Sequence, residues 1–142
     1  LGRIVDSEWA GLDPAHMGLG PVHAATPILK RNRLGLTDVD YWEINEAFAA
    51  VTLHVERQLG VPRAKPNLYG GAISIGHPPG VTGVRMTHTA IQHLQRRGGG
   101  RAVMAMCLAS CAARLISGSP SGRVEISICS SPAWITSQPR RS

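Results

Sequence analysis

The chain has 142 residues, of which 43% are hydrophobic, and its formal net charge is +6. This size and composition predict one globular domain with an aliphatic core, since only 4% of the residues are aromatic. No apolar run is long enough to span a membrane, and the first residues lack a signal-peptide pattern, so we expect no membrane contact. Leu1 is not a start methionine, which suggests a piece of a longer chain.

The cysteines and the charge distribution limit the possible classes of protein and of binding partner. Cys107, Cys111 and Cys129 form an odd set without paired spacing, which argues against a disulfide framework and against a metal site. A reducing, cytoplasmic location is favoured. After Glu56 the chain carries one acidic residue, Glu125, against eleven lysines and arginines. These bases are scattered and have few aromatic neighbours, so a phosphorylated cofactor is favoured over nucleic acid as a partner.

Hydrophobic periodicity predicts strands that alternate with helices along the chain. The predicted strands cover 3–10, 39–44, 67–75 and 101–108, and the helices cover 21–33, the segment between Asn45 and Gly60, and 84–97. Such alternation is typical of an α/β layered domain with parallel strands.

A glycine-rich segment around His77, at 67–85, is the most unusual stretch of the sequence. Gly76 and its neighbours allow the backbone to approach a ligand closely, and Pro78 and Pro79 stiffen the loop. A helix pattern follows, so His77 is predicted near a helix N-terminus, where it could act as an acid, a base or an oxyanion donor. The alternative is a turn with an incidental histidine.

Two further polar residues follow predicted strands. Asn45 could orient a water or a substrate oxygen, or it could simply cap the next helix. Cys107 could be a small buried apolar residue, or a thiol that transfers protons. Because the carboxyl ends of parallel strands share one edge, Asn45, His77 and Cys107 are predicted to converge.

These positions carry a resemblance to a known family. Met-Gly-Leu-Gly-Pro at 17–21, Asn-Glu-Ala-Phe-Ala at 45–49 and Gly-Gly-Ala-Ile-Ser-Ile-Gly-His-Pro at 70–78 are similar, in order, to motifs of the thiolases. Cys107, at the end of the last apolar strand, fits as well. The resemblance covers about 3–108 and implies the C-terminal half of the thiolase fold, a mixed, mostly parallel sheet with helices on both faces.

The resemblance also implies roles for individual residues. The histidine that matches His77 activates a nucleophilic cysteine and helps to form an oxyanion hole, and the asparagine that matches Asn45 holds the water that completes it. The cysteine that matches Cys107 is the general acid and base. This is consistent with the need of an enolate oxygen for fixed donors.

Substrate contacts are implied in the same way. Met17, Ala47 and Phe48 match residues that line the acyl and pantetheine pocket, and Gly76 belongs to the loop beside it. Ala109 stands where the family has a glycine whose N–H serves a second oxyanion hole. Coenzyme A and its thioesters are expected as substrates, and no permanently bound cofactor is expected.

The chain departs from the family in two respects. The nucleophilic cysteine of thiolases belongs to an N-terminal half that this sequence lacks, so we expect the chain alone to be inactive and the full-length form to be an oligomer. Residues 109–142 form a Ser-, Arg-, Pro- and Gly-rich tail, which we expect to be unrelated sequence such as a shifted reading frame would give. One strand at 124–128 could replace the family's closing strand.

The resulting hypothesis is a thiolase C-terminal domain that forms or cleaves the carbon–carbon bond of a 3-oxoacyl-CoA. The alternative is a thiolase-like fragment without catalysis that serves as a binding or interaction module. A basic nucleic-acid-binding domain is the weaker third possibility.

Overall fold

The computed structural model describes residues 2–107 and 111–118. These residues form a sheet of four strands in the order β1-β4-β3-β2, together with four α-helices. The strands are β1 (Arg3–Ala10), β2 (Tyr41–Ile44), β3 (Gly100–Cys107) and β4 (Cys111–Gly118), and the helices are α1 (Gly20–Arg31), α2 (Ala49–Leu59), α3 (Ala72–Ile75) and α4 (Pro79–Arg96). Short 3-10 helices lie at Pro14–Leu19 and Leu36–Asp38.

The sheet is mixed. Strand β2 pairs with β3 in parallel, whereas β4 pairs antiparallel with both β3 and β1. A parallel crossover needs a dozen or more residues, and β3 and β4 are too close in sequence for one. The predicted α/β fold with a mixed sheet is confirmed, but parallel pairs are a smaller share of the described sheet than predicted.

Helices cover both faces of the sheet, as predicted. One core forms between α1 and side chains such as Trp42, Val103 and Leu115, and the other forms between α4 and side chains such as Tyr41 and Met104. Successive side chains of a strand point to opposite faces, so a strand buried on both sides reads as a continuous apolar run.

Strand β4 was not predicted from the sequence. It lies between β1 and β3, and Ala113, Leu115 and Ile116 on it are buried. The sheet therefore continues beyond residue 108, where the sequence analysis began the tail. Ala109 and the strand predicted at 124–128 lie outside the described residues.

The strand predicted at 67–75 is wrong. Pro66 makes a single parallel bridge to Trp42, after which positive φ angles at Asn67 (49°) and Gly70 (86°) turn the chain away from the sheet. Extended strands require negative φ, so these residues end the pairing. The short helix α3 follows, and α4 then begins at Pro79 rather than at Val84.

Two side chains hold this turn against the end of β2. The Asn67 amide oxygen accepts a hydrogen bond from the Ile44 N–H at 2.8 Å, and its nitrogen donates to the Glu46 carboxylate at 2.8 Å. The other Glu46 oxygen accepts from the Ile73 N–H at 3.0 Å. A Cβ at Gly71 would lie 2.3 Å from the Glu46 carboxylate, so this close approach requires glycine.

A buried ion pair connects β2 to α4. The Glu43 carboxylate, on a fully buried residue, accepts a hydrogen bond from Arg85 Nη1 at 2.9 Å and another from the Tyr41 hydroxyl. Burial raises the pKa of the Glu43 carboxyl above its ordinary value, although both hydrogen bonds act in the opposite direction. Removing one partner of such a pair leaves a buried charge uncompensated.

We predict that Arg85→Met lowers the free energy of unfolding by about 3 kcal/mol near neutral pH, measured by urea denaturation. The raised folded pKa of Glu43 means that its contribution to stability is fully present at acidic pH and is lost as pH rises through that pKa. Without Arg85, more of this stability is lost as the pH rises. The difference in the free energy of unfolding between Arg85→Met and the unsubstituted chain should therefore shrink below about pH 4.3.

The matched control is Arg97→Met, because Arg97 pairs with Asp40 at 2.9 Å on the surface. Its expected cost is below about 1 kcal/mol. Equal effects of the two substitutions would contradict a specific role of the buried pair.

We also predict that Gly71→Ala destabilises the fold by about 1–3 kcal/mol, because the new methyl group displaces the Glu46 carboxylate. Gly80→Ala is the control, since a Cβ there meets no atom within 4 Å. The melting temperatures of both variants measure the difference. An unchanged melting temperature for Gly71→Ala would refute a stabilising role for the contact between Glu46 and Gly71.

Candidate active site

The loop that carries His77 connects α3 to α4. Gly76 ends α3 with φ of 89° and ψ of 165°, a conformation that glycine adopts readily and other residues rarely. Pro78 is the N-cap of α4 and Pro79 its first residue. His77 is half-buried and lies beside the helix N-terminus, as predicted, although it follows a helix rather than a strand.

Asn45 directly follows β2 and is fully buried. Its backbone N–H donates to the Ala105 carbonyl at 2.9 Å, which continues the parallel pairing with β3 by one step. Its side-chain Nδ2 lies 3.2 Å from His77 Nε2. Among the described residues, Asn45 Oδ1 is buried with no hydrogen-bond partner.

Helix capping, the structural alternative for Asn45, is wrong. The helix α2 begins only at Ala49, and its N-cap is Phe48, which makes no side-chain capping bond. The Asn45 amide is instead directed at His77.

The other ring nitrogen of His77 has a partner that the sequence analysis missed. His77 Nδ1 lies 2.7 Å from Thr82 Oγ1, and the Thr82 hydroxyl also lies 3.0 Å from the Pro78 carbonyl. Thr82 is fully buried in the first turn of α4. A hydroxyl residue one helical turn after a loop histidine is the signal that could have found it.

Cys107 is the last residue of β3 and is 3% exposed. Its thiol donates to the Met17 carbonyl at 2.9 Å. Met17 lies in the 3-10 helix that precedes α1. The register that pairs Ile44 with Ala105 puts Asn45 and Cys107 at the same edge of the sheet, as predicted from the parallel strands.

The remaining predicted substrate residues lie around this edge. Ala47 and Phe48 occupy the segment between β2 and α2, where Ala47 is half-buried and Phe48 is 63% exposed. Gly76 is exposed and directly precedes His77. The structure therefore brings Asn45 to His77 and Cys107 to Met17, and leaves the Phe48 ring largely open to solvent.

This arrangement offers an imidazole, a buried amide with an unused acceptor, and a thiol within one edge of a sheet. Such groups can move a proton and orient a water or a developing oxyanion. In residues 2–107 and 111–118, no three His, Cys, Asp or Glu side chains are grouped to hold a metal ion. No helix in the same ranges is long and apolar enough to cross a membrane.

Comparison with known proteins gives consistent results. The family model described as "Thiolase, C-terminal domain" matches residues 1–117. Acetyl-CoA acetyltransferase, cytosolic, of Mus musculus is 44% identical over 108 residues, which are 76% of this chain and 27% of that protein. The chain thus spans roughly a quarter of the length of this relative.

Solved structures agree. Human mitochondrial 3-ketoacyl-CoA thiolase in complex with CoA superposes with a TM-score of 0.79 at 43% identity, over 83% of this chain and 30% of that one. Peroxisomal 3-ketoacyl-CoA thiolase of Saccharomyces cerevisiae gives a TM-score of 0.79 at 38% identity, over 84% of this chain and 34% of that one. It is described as a five-layered α-β-α-β-α structure built from two core domains of identical topology, and also as dimeric. The chain therefore belongs to the thiolase family and corresponds to its C-terminal domain.

Proposed function

We propose that this chain acts as the C-terminal domain of an acyl-CoA thiolase, which forms or cleaves the carbon–carbon bond of a 3-oxoacyl-CoA. It would do so together with a second half that carries the nucleophilic cysteine. The observation that carries the proposal is the Asn45–His77 contact of 3.2 Å, beside an Asn45 Oδ1 that is buried and unpartnered. A buried amide oxygen without a partner is costly unless a water or a ligand completes it.

The proposed roles follow from this geometry. His77 would accept the proton of the nucleophilic thiol at Nε2, and the resulting Nε2–H would donate a hydrogen bond to the oxyanion that develops on the thioester oxygen. Asn45 would hold a water through its free Oδ1, and that water would be the second donor to the oxyanion. Fixed donors of this kind act at full strength in a site from which bulk water is excluded.

Cys107 would serve as the general acid and base that moves the α-proton of the substrate or the proton of the leaving thiol. Its burial at 3% exposure and its position at the edge that also carries Asn45 support this role. The bond to the Met17 carbonyl would hold the thiol in place while the substrate is absent.

Substrate binding is proposed for Met17, Ala47, Phe48, Gly76 and Ala109. The exposed aromatic ring of Phe48 and the half-buried Ala47 and Met17 offer apolar surface for an acyl or pantetheine chain. Coenzyme A and its thioesters would be substrates rather than resident cofactors, and the human relative whose structure contains CoA is consistent with this.

The second half would dock on the outer side of α4. Val81 and Val84 on this helix are 56% and 71% exposed, and beside them a groove of about 670 Å³ lies between α4 and the exposed Trp9. The outer side of α1 instead presents polar residues, His23, Lys30 and Arg31. An exposed apolar patch of this kind is typical of an interaction surface.

The architecture of the yeast relative supports this occupant. The yeast relative has five layers built from two domains of identical topology, and two α-β-α halves can form five layers only if they share one helical layer. The apolar side of α4 suits the shared middle layer, and the charged side of α1 suits the outer one. A dimer of the complete protein and a cytoplasmic location are also proposed, although relatives include both cytosolic and mitochondrial thiolases.

We predict that Val84→Asp weakens association with an N-terminal thiolase half by about 10-fold or more, because it buries a charge in an apolar interface. The dissociation constant is measured by isothermal titration calorimetry, with the part of the mouse relative that lies N-terminal to its matching region as the partner. His23→Asp, on the exposed side of α1, is the matched control and should bind normally. If both variants bind as the unsubstituted chain does, α4 is not the docking surface.

We further predict that the purified chain alone does not cleave acetoacetyl-CoA with CoA, and that adding the N-terminal half restores turnover. Asn45→Ala should then lower kcat by about 100-fold or more, since it removes an oxyanion contact. His77→Ala should abolish turnover, whereas His23→Ala should not change it. Saturable binding of acetyl-CoA without turnover in the reconstituted complex would favour the catalytically inactive binding module instead.

A further inference from the structure

The Thr82 hydroxyl is buried in contact with the ring of His77. It lies 2.7 Å from Nδ1 and 3.0 Å from the Pro78 carbonyl, and Thr82 is 0% exposed. The sequence analysis gave Thr82 no role, and the proposed function uses only the opposite nitrogen, Nε2. What the hydroxyl does to Nδ1 is therefore a separate question.

A threonine hydroxyl has one proton to donate and lone pairs to accept with. The Pro78 carbonyl can only accept. Three other helical threonines, Thr26, Thr87 and Thr89, each donate to the carbonyl four residues earlier, at 2.7 to 3.0 Å, whereas the Thr52 hydroxyl is buried without a partner in the described part of the chain. Thr82 stands in the same relation to Pro78, so its proton is committed to that carbonyl and its lone pair faces Nδ1.

We propose that Thr82 is a positioning residue that fixes the proton of neutral His77 on Nδ1 and leaves Nε2 unprotonated, so that Nε2 is the basic nitrogen of the ring. Two lone pairs cannot form a hydrogen bond, so Nδ1 must carry a proton when it contacts Thr82 at 2.7 Å. The Asn45 amide nitrogen, 3.2 Å from Nε2, then donates to the ring. Each of the three hydrogen bonds in the chain Asn45–His77–Thr82–Pro78 thus has one donor and one acceptor.

The consequence for catalysis rests on the proposed function. When the thiol of the second half gives its proton to Nε2, a thiolate and an imidazolium form and no other covalent bond changes. The hydrogen bond from the Asn45 amide nitrogen to Nε2 is lost, because both groups are then donors. Both ring nitrogens of the imidazolium are donors. Thr82 accepts from Nδ1 before and after the transfer, so Nε2 can be a base in one step and a donor to the oxyanion in the next without movement of the ring.

The first test is spectroscopic and needs no activity. The full chain is labelled with ¹⁵N-histidine, and long-range ¹H–¹⁵N correlation spectra are recorded under conditions in which His77 is neutral. His77→Gln assigns its signals among those of the six histidines. We expect a pyrrole-type Nδ1 and a pyridine-type Nε2. A pyridine-type Nδ1 in the unsubstituted chain would overturn the proposal, whatever the variants do.

Variants test the part played by the hydroxyl. Thr82→Val has nearly the same shape and should lose the Nδ1–H form as the dominant species, while Thr82→Ser should keep it. Thr89→Val is the matched control, since it removes a similar hydroxyl from the same helix without touching His77. Retention of the Nδ1–H form in a folded Thr82→Val chain would also overturn the proposal.

The second test uses the chain reconstituted with the N-terminal half. Thr82→Val should lower kcat by roughly 10-fold or more with little change in KM, and Thr82→Ser should restore it. The two tests fail separately. If the complex is inactive throughout but the spectra are as expected, the proposed function is wrong and the role of Thr82 stands. If the complex is active but Nδ1 is pyridine-type, the proposed function stands and the role of Thr82 is wrong.

Discussion

The buried ion pair of Glu43 and Arg85 is the interaction on which the site depends. Glu43 lies on β2, two residues before Asn45, and Arg85 lies on α4, one turn after Thr82. The pair therefore fixes the strand that delivers the amide relative to the helix that delivers the hydroxyl. Burying two charges is costly, but once both are buried, separating them would leave one charge unpaired in an apolar environment. Such a contact specifies one arrangement of strand and helix.

The loop of His77 is then held from both ends. On one side, Asn67 and Glu46 attach the turn and α3 to the end of β2. On the other side, Pro78 and Pro79 begin α4 with fixed φ angles. The imidazole between these anchors contacts the amide and the hydroxyl through opposite nitrogens. Preorganisation of this kind is the general requirement for a group that stabilises charge during a reaction.

The proposed docking of a second half would account for the exposed apolar side chains beside α4. In the described part of the chain, Val81, Val84 and Trp9 are more than half exposed, and contiguous exposed apolar side chains are typical of interaction surfaces. The relative from Mus musculus is covered only to 27% by this chain.

Several features could be predicted from the sequence because they depend on neighbouring residues. The periodicity of α1, β1 and β3 gave their places to within a few residues, and the motifs around Asn45 and His77 gave the family. Where glycines and a left-handed Asn67 interrupt an apolar run, the same reasoning predicted a strand that does not exist. Apolar alternation is shared by strands and by turns that pack against a core, so the pattern alone could not separate them.

The partners of residues that are far apart in the sequence became known only from the three-dimensional packing. The position of β4 inside the sheet, the bond from Cys107 to Met17 and the approach of Asn45 to His77 all depend on how the layers pack. The chemical groups that are present, and most of the local elements that carry them, follow from the amino-acid sequence alone. The reason is physical: local backbone preferences act over a few residues, whereas hydrogen bonds between elements exist only after the two cores have fixed the distances between them.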